Sequence, residues 1–278
     1  MPVEARGLVR KMRGGAQAHL LEASDGCFYV VKFRNNPQHS RILVNEWVAS
    51  VFLSYLGLSS PASALVSVSP EFLREHPEVN LQFGSEVRAV EPGWHFGSRF
   101  PGDPRKLAVY DFLPDKLLPS VENIPQFSGV LAFDQWAGNA DARQSIFFRP
   151  RIREGLPAFE AHPNRLGFVT QMIDNGYVFG GPDWKIHDSP LRGLYHRPSV
   201  YGNIRCLDDF EPWLSRLNNF PEEVIDRAIR QIPSAWMEDS EIELEQLLAQ
   251  LLRRRSRVAD LLLTCRRTRP EWFPLWRE

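Results

Sequence analysis

The chain has 278 residues, about twice the commonest domain size, so one large domain or two closely joined lobes is expected. It is 43% hydrophobic and 24% charged, as ordinary globular proteins are, and 33 Lys and Arg against 34 Asp and Glu leave a formal charge of -1, without the basic excess of a dedicated nucleic-acid binder. No apolar run approaches the roughly 20 residues that span a bilayer, and residues 1–15 carry no apolar segment, so neither anchor nor signal peptide is expected.

In chain order, GLVRKM (7–12) reads as a short strand and RGGAQ (13–17) as a glycine turn. AHLLEA (18–23) is a second strand, SDG (24–26) a hairpin turn, and CFYVVKF (27–33) a third strand rich in aromatic and β-branched residues. After the loop NNPQHS (35–40), the spacing predicts a helix over 41–57, with Leu43, Trp47, Val51 and Leu53 on one side and Gly57 as its stop. SSPASALVSVS (59–69) reads as a strand entering from a proline turn. Residues 84–104, rich in Gly and Pro, read as a long functional loop or a disordered insertion. LAVYDFLP (107–114) is a strand running into a proline, and the lobe boundary is placed there. SGVLAFDQWAGN (128–139) is helical, IFF (146–148) a strand, and GFVTQMID (167–174) a strand ending in a glycine-punctuated turn. Beyond these, 210–217, 221–233 and 241–265 have helical spacing.

Only five of the basic residues are lysines, and Lys32 lies inside the apolar third strand. Burying an ammonium without a partner is costly, so one reading is a lysine reaching under the Gly14–Gly15 turn to hold nucleotide phosphates. The plain alternative is a lysine on the solvent face of an edge strand. Glu46, in the helix that follows, is placed either to pair with Lys32 or to face solvent. Asp141, Arg143 and Gln144 crowd a short polar connection between apolar elements, where catalytic groups are often displayed. Asp174 ends an apolar strand just before Asn175 and Gly176, a position suited to Mg²⁺. Both aspartates have an ordinary alternative as turn formers.

Three distant cysteines (Cys27, Cys206, Cys265) fit neither a disulfide framework nor a zinc spacing, and point to a reducing cytoplasm. Seven histidines, among them His95 and His162, show no metal-ligand spacing. RRRSR (253–257) reads as a solvated helical face. PGWHFGSRFPGDP (92–104) reads as a surface loop, or as a lid or acceptor-binding loop beside the cleft from Gly93 to Gly102.

Taken in order, RGGAQAHLL, YVVKFRNNPQHSRILVNEW, FDQWAGNADARQ and MIDNGYVFGG resemble the HipA-like kinases, a branch of the protein-kinase-like fold, from near Leu8 to about Leu263. The resemblance implies a two-lobe α+β fold: residues 1–113 as a small antiparallel sheet with one helix, and residues 114–278 as a mainly helical lobe with a short catalytic sheet. It implies ATP between the lobes and phosphoryl transfer assisted by Mg²⁺. Lys32 takes the phosphate-binding role, together with Gly14 and Gly15, and Glu46 is its helix partner. Asp141 takes the place of the catalytic-loop base and Asp174 that of the metal-binding aspartate. Val109, Tyr110, Asp111, Phe112 and Leu113 fall at the hinge, where backbone groups meet adenine. One position departs from the pattern: kinases usually place a metal-binding Asn five residues after the catalytic Asp, and here that residue is Ile146. Gln144, the nearest amide, is expected to substitute as metal ligand through its carbonyl oxygen, the alternative being a lost second metal site and a weakly active protein. The expected function is an ATP-dependent phosphotransferase acting on protein Ser/Thr. The alternatives are a small-molecule or lipid-headgroup kinase, or a nucleotide-binding module with little catalysis; no membrane or nucleic-acid partner is expected.

Overall fold

Strands that bury one face cannot leave it open, and the N-terminal strands of this chain solve this by closing on themselves. The computed structural model describes residues 2–150 and 167–277; His162 and the segment 151–166 lie outside them. Strands β1 (Val3–Lys11), β2 (His19–Ala23) and β3 (Phe28–Lys32) are followed by helix α1 (Arg41–Leu56), strand β4 (Ser63–Val68) and helix α2 (Pro70–Glu75). A hairpin, β5 (Asn80–Phe83) and β6 (Glu86–Ala89), leads to β7 (Gly93–Arg99). Five of these form a closed barrel in the order β1-β2-β3-β7-β4. The expected antiparallel sheet is therefore corrected at one seam. Helix α1 carries the chain across to β4, which runs parallel to β1 with Val3 opposite Val66, and closure removes the free edges.

The long loop expected over 84–104 is also corrected, because β6 and β7 occupy most of it. Strand β7 lies between β3 and β4, with Phe96 opposite Lys32 and His95 opposite Val66. A lid over Gly93–Gly102 is overturned with it, since residues 93–99 are barrel wall. The glycine that reads as a loop signal is here a packing residue. A Cβ on Gly97 would sit 2.5 Å from Val66 Cγ2, so the close approach of two strands requires the glycine.

His95 is fully buried in this wall. Its Nδ1 accepts the Arg34 N–H at 3.0 Å, its Nε2 donates to the Glu91 carbonyl at 3.0 Å, and its ring meets Phe33 edge-on, with His19 against the same phenyl ring. Burial, with the Arg34 charge adding to it, pushes the imidazole down to about 4. The unfolded chain takes up this proton below about pH 6.5 and the folded one only near pH 4, so stability is full above pH 6.5 and is lost between the two values, by about 3 kcal/mol. Denaturant melts of wild type and His95→Gln check this. The stability gap between them should narrow as pH falls from 7 to 4, and a gap independent of pH would refute it.

Helix α1 was expected to bury one side. Instead Ile42 through Ala49, Phe52, Leu53 and Leu56 are all buried, because barrel and helical layers cover it from both directions, and it ends at Gly57 as read. Beyond the barrel, the strand expected over 107–114 shrinks to the two residues of β8 (Val109–Tyr110). Helix α3 (Gln126–Ala137) is buried along its whole length and leads to β9 (Gln144–Phe148). Strand β10 (Val169–Ile173) completes an antiparallel sheet of order β10-β9-β8, with Gln144 opposite Ile173. Helices α4 (Trp213–Asn218), α5 (Glu222–Ile229), α6 (Glu241–Arg254) and α7 (Val258–Thr268) complete the α+β molecule.

The single helix read over 241–265 is broken by a turn at Arg255–Arg257. The solvated reading of 253–257 is corrected at its centre. Arg254 is buried, donating to the carbonyls of Trp136 and Gln135, both at 2.9 Å, and pairing with Asp188 at 2.5 Å. Among the described residues no helix is long and apolar enough to cross a membrane.

Candidate active site

Lys32 is the last residue of β3 and is 9% exposed, so the edge-strand reading fails. An ammonium so placed needs partners, and it has two. Its Nζ lies 2.5 Å from Glu46 Oε1 and 2.7 Å from Asp174 Oδ1. Glu46 is itself buried on α1, the helix that begins nine residues after Lys32, so the exposed-helix reading fails as well. Burial alone would lower the Lys32 pKa; Glu46 and then Asp174 reverse this and hold it above its usual value, so the side chain stays a cation.

Asp174 follows β10 in a left-handed conformation, φ 57°, which strains a residue bearing a Cβ. Its side chain is 37% exposed. Burial would raise its pKa, but Lys32, with Arg143 and the Gly176 N–H, brings it below the ordinary carboxylate range. Gln144, opposite Ile173 in the ladder, donates its Nε2 to Asp174 Oδ2 at 3.1 Å. Ile146 lies two residues further along β9 with its side chain buried. The amide that meets Asp174 therefore stands three residues after Asp141, while Ile146, five residues after it, is turned into the core.

Asp141 is exposed at the tip of the turn between α3 and β9. Its backbone is held on both sides: its N–H donates to Asn139 Oδ1 at 3.0 Å and its carbonyl accepts the Gly193 N–H at 2.8 Å. One carboxylate oxygen accepts the Ala142 N–H at 2.7 Å.

A network that sequence reasoning missed lies beneath these groups. The Arg143 guanidinium and the Asp134 carboxylate have fully buried side chains, joined by Nε–Oδ2 at 2.8 Å and Nη2–Oδ1 at 2.5 Å. Arg143 Nη1 donates to the Ile173 carbonyl at 3.0 Å and to Asn175 Oδ1 at 2.8 Å. Asn175 N–H in turn donates to Glu46 Oε1 at 3.0 Å. Beside Glu46, Asn45 Nδ2 donates to the carbonyls of Gly176, Val178 and Gly181. Helix α1 is therefore fastened to the Asp174 turn by two adjacent side chains. The signal available in the sequence was an Asp and an Arg nine residues apart across a Gly-Asn turn between apolar elements.

The Gly14–Gly15 turn closes through the Gln17 N–H on the Gly14 carbonyl at 3.1 Å. Lys11 pairs with His19 and His19 with Val31, so the turn lies at the same end of the sheet as Lys32. The Gln38 amide packs on Gly15, where a Cβ would stand 2.4 Å from its Nε2. The segment expected at the hinge is split in environment. Val109 and Tyr110 pair with Phe148 and Phe147, Asp111 and Phe112 are exposed, with Arg197 over the Phe112 ring, and Leu113 is buried. A separate cavity of about 1040 Å³ is walled by Trp47, Ser63, Arg99, Phe148, Gln171 and Arg227 among others, and none of Lys32, Glu46, Asp141, Gln144 and Asp174 lines it.

Solved structures with a similar fold are kinases. The Golgi casein kinase with Mn/ADP bound aligns at 12% identity and a TM-score of 0.50, covering 96% of this chain and 74% of that one. A second Golgi casein kinase structure gives 13%, 0.51, 96% and 73%. The Helicobacter pylori proinflammatory kinase CtkA gives 16%, 0.55, 95% and 98%. At such identities the likeness is one of fold. No curated protein matches the sequence. The sequence pattern of the HipA-like kinases matches residues 6–147, just over half of the chain and a span that contains Lys32, Glu46, Asp141 and Gln144, and the chain therefore belongs to the HipA-like kinase family.

Proposed function

We propose that the protein is an ATP- and Mg²⁺-dependent phosphotransferase acting on a hydroxyl acceptor, with protein Ser or Thr as the acceptor class. The observation that carries the proposal is the buried Lys32 ammonium held between Glu46 and Asp174 beside the exposed Asp141 turn. A cation fixed at the same end of the sheet as a glycine turn is suited to phosphate oxygens, and Glu46 keeps it aimed when Asp174 turns to other work. In this reading residues to about Leu113 form the nucleotide-covering lobe, the remainder forms the catalytic lobe, and Val109–Leu113 connect them near adenine. Cytoplasmic action belongs to the same proposal and is supported by the three unpaired, scattered cysteines.

The donor set fits a hard cation. Asp174 offers a partly exposed carboxylate, and Gln144 offers its carbonyl oxygen once its amide turns over, since the Nε2 now facing Asp174 is a donor only. Mg²⁺ usually takes one or two protein ligands and is completed by phosphate oxygens and water, and two are what Asp174 and Gln144 offer. When bound, Mg²⁺ supplies charge neutralisation at the phosphates. Lys32 draws the same phosphates, the Gly14 and Gly15 N–H groups cover them, and Asp141 accepts the acceptor proton as the new O–P bond forms and the bond to the nucleotide breaks. A second reading, a nucleotide-binding regulatory module, has one observation in its favour: Ile146 stands where kinases usually carry a metal-binding Asn.

Calorimetric titration with ATP tests the nucleotide site directly. Lys32→Ala should weaken ATP binding at least about tenfold, the scale of losing one charged hydrogen bond. Equal affinities would sink the assignment. Transfer of labelled phosphate to lysate proteins, to small molecules or to lipid vesicles then separates the acceptor classes, and ATP binding without transfer to any of them would favour the regulatory module.

A further inference from the structure

We propose that the buried Asp134–Arg143 pair is a positioning element that holds the metal-bearing Asp174 and the acceptor-facing Asp141 in one fixed relation, with Arg143 acting on Asp174 through the two residues that flank it. The inference rests on the phosphotransferase reading for the roles of the two aspartates.

Arg143 sits two residues after Asp141, where a cation would be well placed to touch substrate. It does not reach outward. Its side chain is fully buried, and its bonds run to Asp134, the Ile173 carbonyl and the Asn175 side chain. Ile173 and Asn175 are the residues on either side of Asp174, and Asp174 itself holds a left-handed backbone, φ 57°. Such a conformation persists in a non-glycine residue only where the surroundings over-determine it. A single Nη1 that grips the preceding carbonyl and the following side chain does this.

The other end of the pair reaches Asp141. Asp134 Oδ1 accepts from Asn139 Nδ2 at 3.0 Å, and Asn139 Oδ1 accepts the Asp141 N–H at 3.0 Å. Two turns from different parts of the chain are thus joined through one buried ion pair. The same guanidinium reaches the lysine, since Asn175 bonds Glu46 and Glu46 bonds Lys32.

Stability alone does not account for an ion pair at this place. Two buried charges replaced together by apolar side chains of similar volume often leave a fold equally or more stable, whereas removal of one partner is destructive. What an apolar pair cannot supply is a planar fork with bonds in three directions. A lysine keeps the charge and loses the fork.

Two variants test this: Arg143→Lys, and the double change Asp134→Leu with Arg143→Met. Three readouts are thermal melting, ATP affinity by calorimetry with and without Mg²⁺, and hydrogen exchange of the peptide 172–177 without ligand. For both variants the Mg²⁺-dependent gain in ATP affinity should shrink about tenfold or more, the scale seen when groups behind a metal ligand are lost. Metal-free ATP affinity should hold, and amides near Asp174 should exchange faster, while the double variant melts near wild type. A merely structural pair predicts that the double variant, once folded, binds and exchanges as wild type does; that outcome overturns the inference. Should the double variant not fold, Arg143→Lys decides, and unchanged exchange in 172–177 overturns it. The exchange arm needs no nucleotide. Absence of Mg²⁺-dependent ATP binding in wild type would therefore defeat the phosphotransferase reading separately.

Discussion

Asp141→Asn is expected to lower phosphoryl transfer about 10²–10⁴-fold while ATP binds as tightly as to wild type. The turn that carries Asp141 is fixed by backbone bonds to Asn139 and Gly193, neither of which uses the carboxylate. One carboxylate oxygen accepts the Ala142 N–H, and an asparagine oxygen can replace it there. The other oxygen has no hydrogen-bond partner among the described residues, and in the proposed reading it is the one that would take a proton from an acceptor hydroxyl. Asparagine puts an amide at that position, which can neither accept a proton nor carry negative charge, so shape is kept and chemistry is lost. The nucleotide contacts assigned to Lys32, Gly14 and Gly15 are untouched. Initial rates of phosphate transfer beside calorimetric ATP affinities give the comparison. Transfer within about threefold of wild type would remove Asp141 from the base role.

Why some of this was legible in sequence, and some not, follows from the range of the interactions. Lys32 was conspicuous because an ammonium in an apolar strand has to be explained locally, and Glu46 lay in the next element. Asp141 and Asp174 stood at ends of apolar segments, where turn chemistry marks them. The Asn175–Glu46 and Asn45–Gly181 bonds join residues 129 and 136 positions apart, and no local pattern announces them. Strand β7 was lost because the glycine that lets Val66 approach is also the strongest loop signal. Arg254 reads as solvated because the basic run follows Glu241, Glu243 and Glu245 on one helix, and only the packing of α6 on α3 supplies the Gln135 and Trp136 carbonyls that receive it. The parallel seam of the barrel depends on where α1 delivers the chain, a tertiary fact that period and propensity do not carry.

The two residues assigned to the metal should fail in different ways, and the difference separates metal binding from nucleotide binding. Asp174→Ala removes the carboxylate and is expected to abolish the Mg²⁺-dependent gain in ATP affinity and to lower turnover about 10²–10³-fold, the scale of losing one preorganised charge-stabilising group. Metal-free ATP affinity should hold or rise. The reason is the 2.7 Å bond from Lys32 Nζ to Asp174 Oδ1: without Asp174 the ammonium has only Glu46 to satisfy it and is freer to turn to phosphate. Gln144→Ala removes a neutral side chain from beside Asp174 Oδ2, so its loss should be milder, about tenfold, and partly recovered at raised Mg²⁺ or with Mn²⁺. Titrating Mg²⁺ and Mn²⁺ against each variant, with ATP affinity and turnover followed in parallel, gives the comparison. If Gln144→Ala matches wild type at low Mg²⁺, the amide is no ligand. The chain would then work with one carboxylate at the metal, and Ile146 would mark a site where the second ligand has been given up.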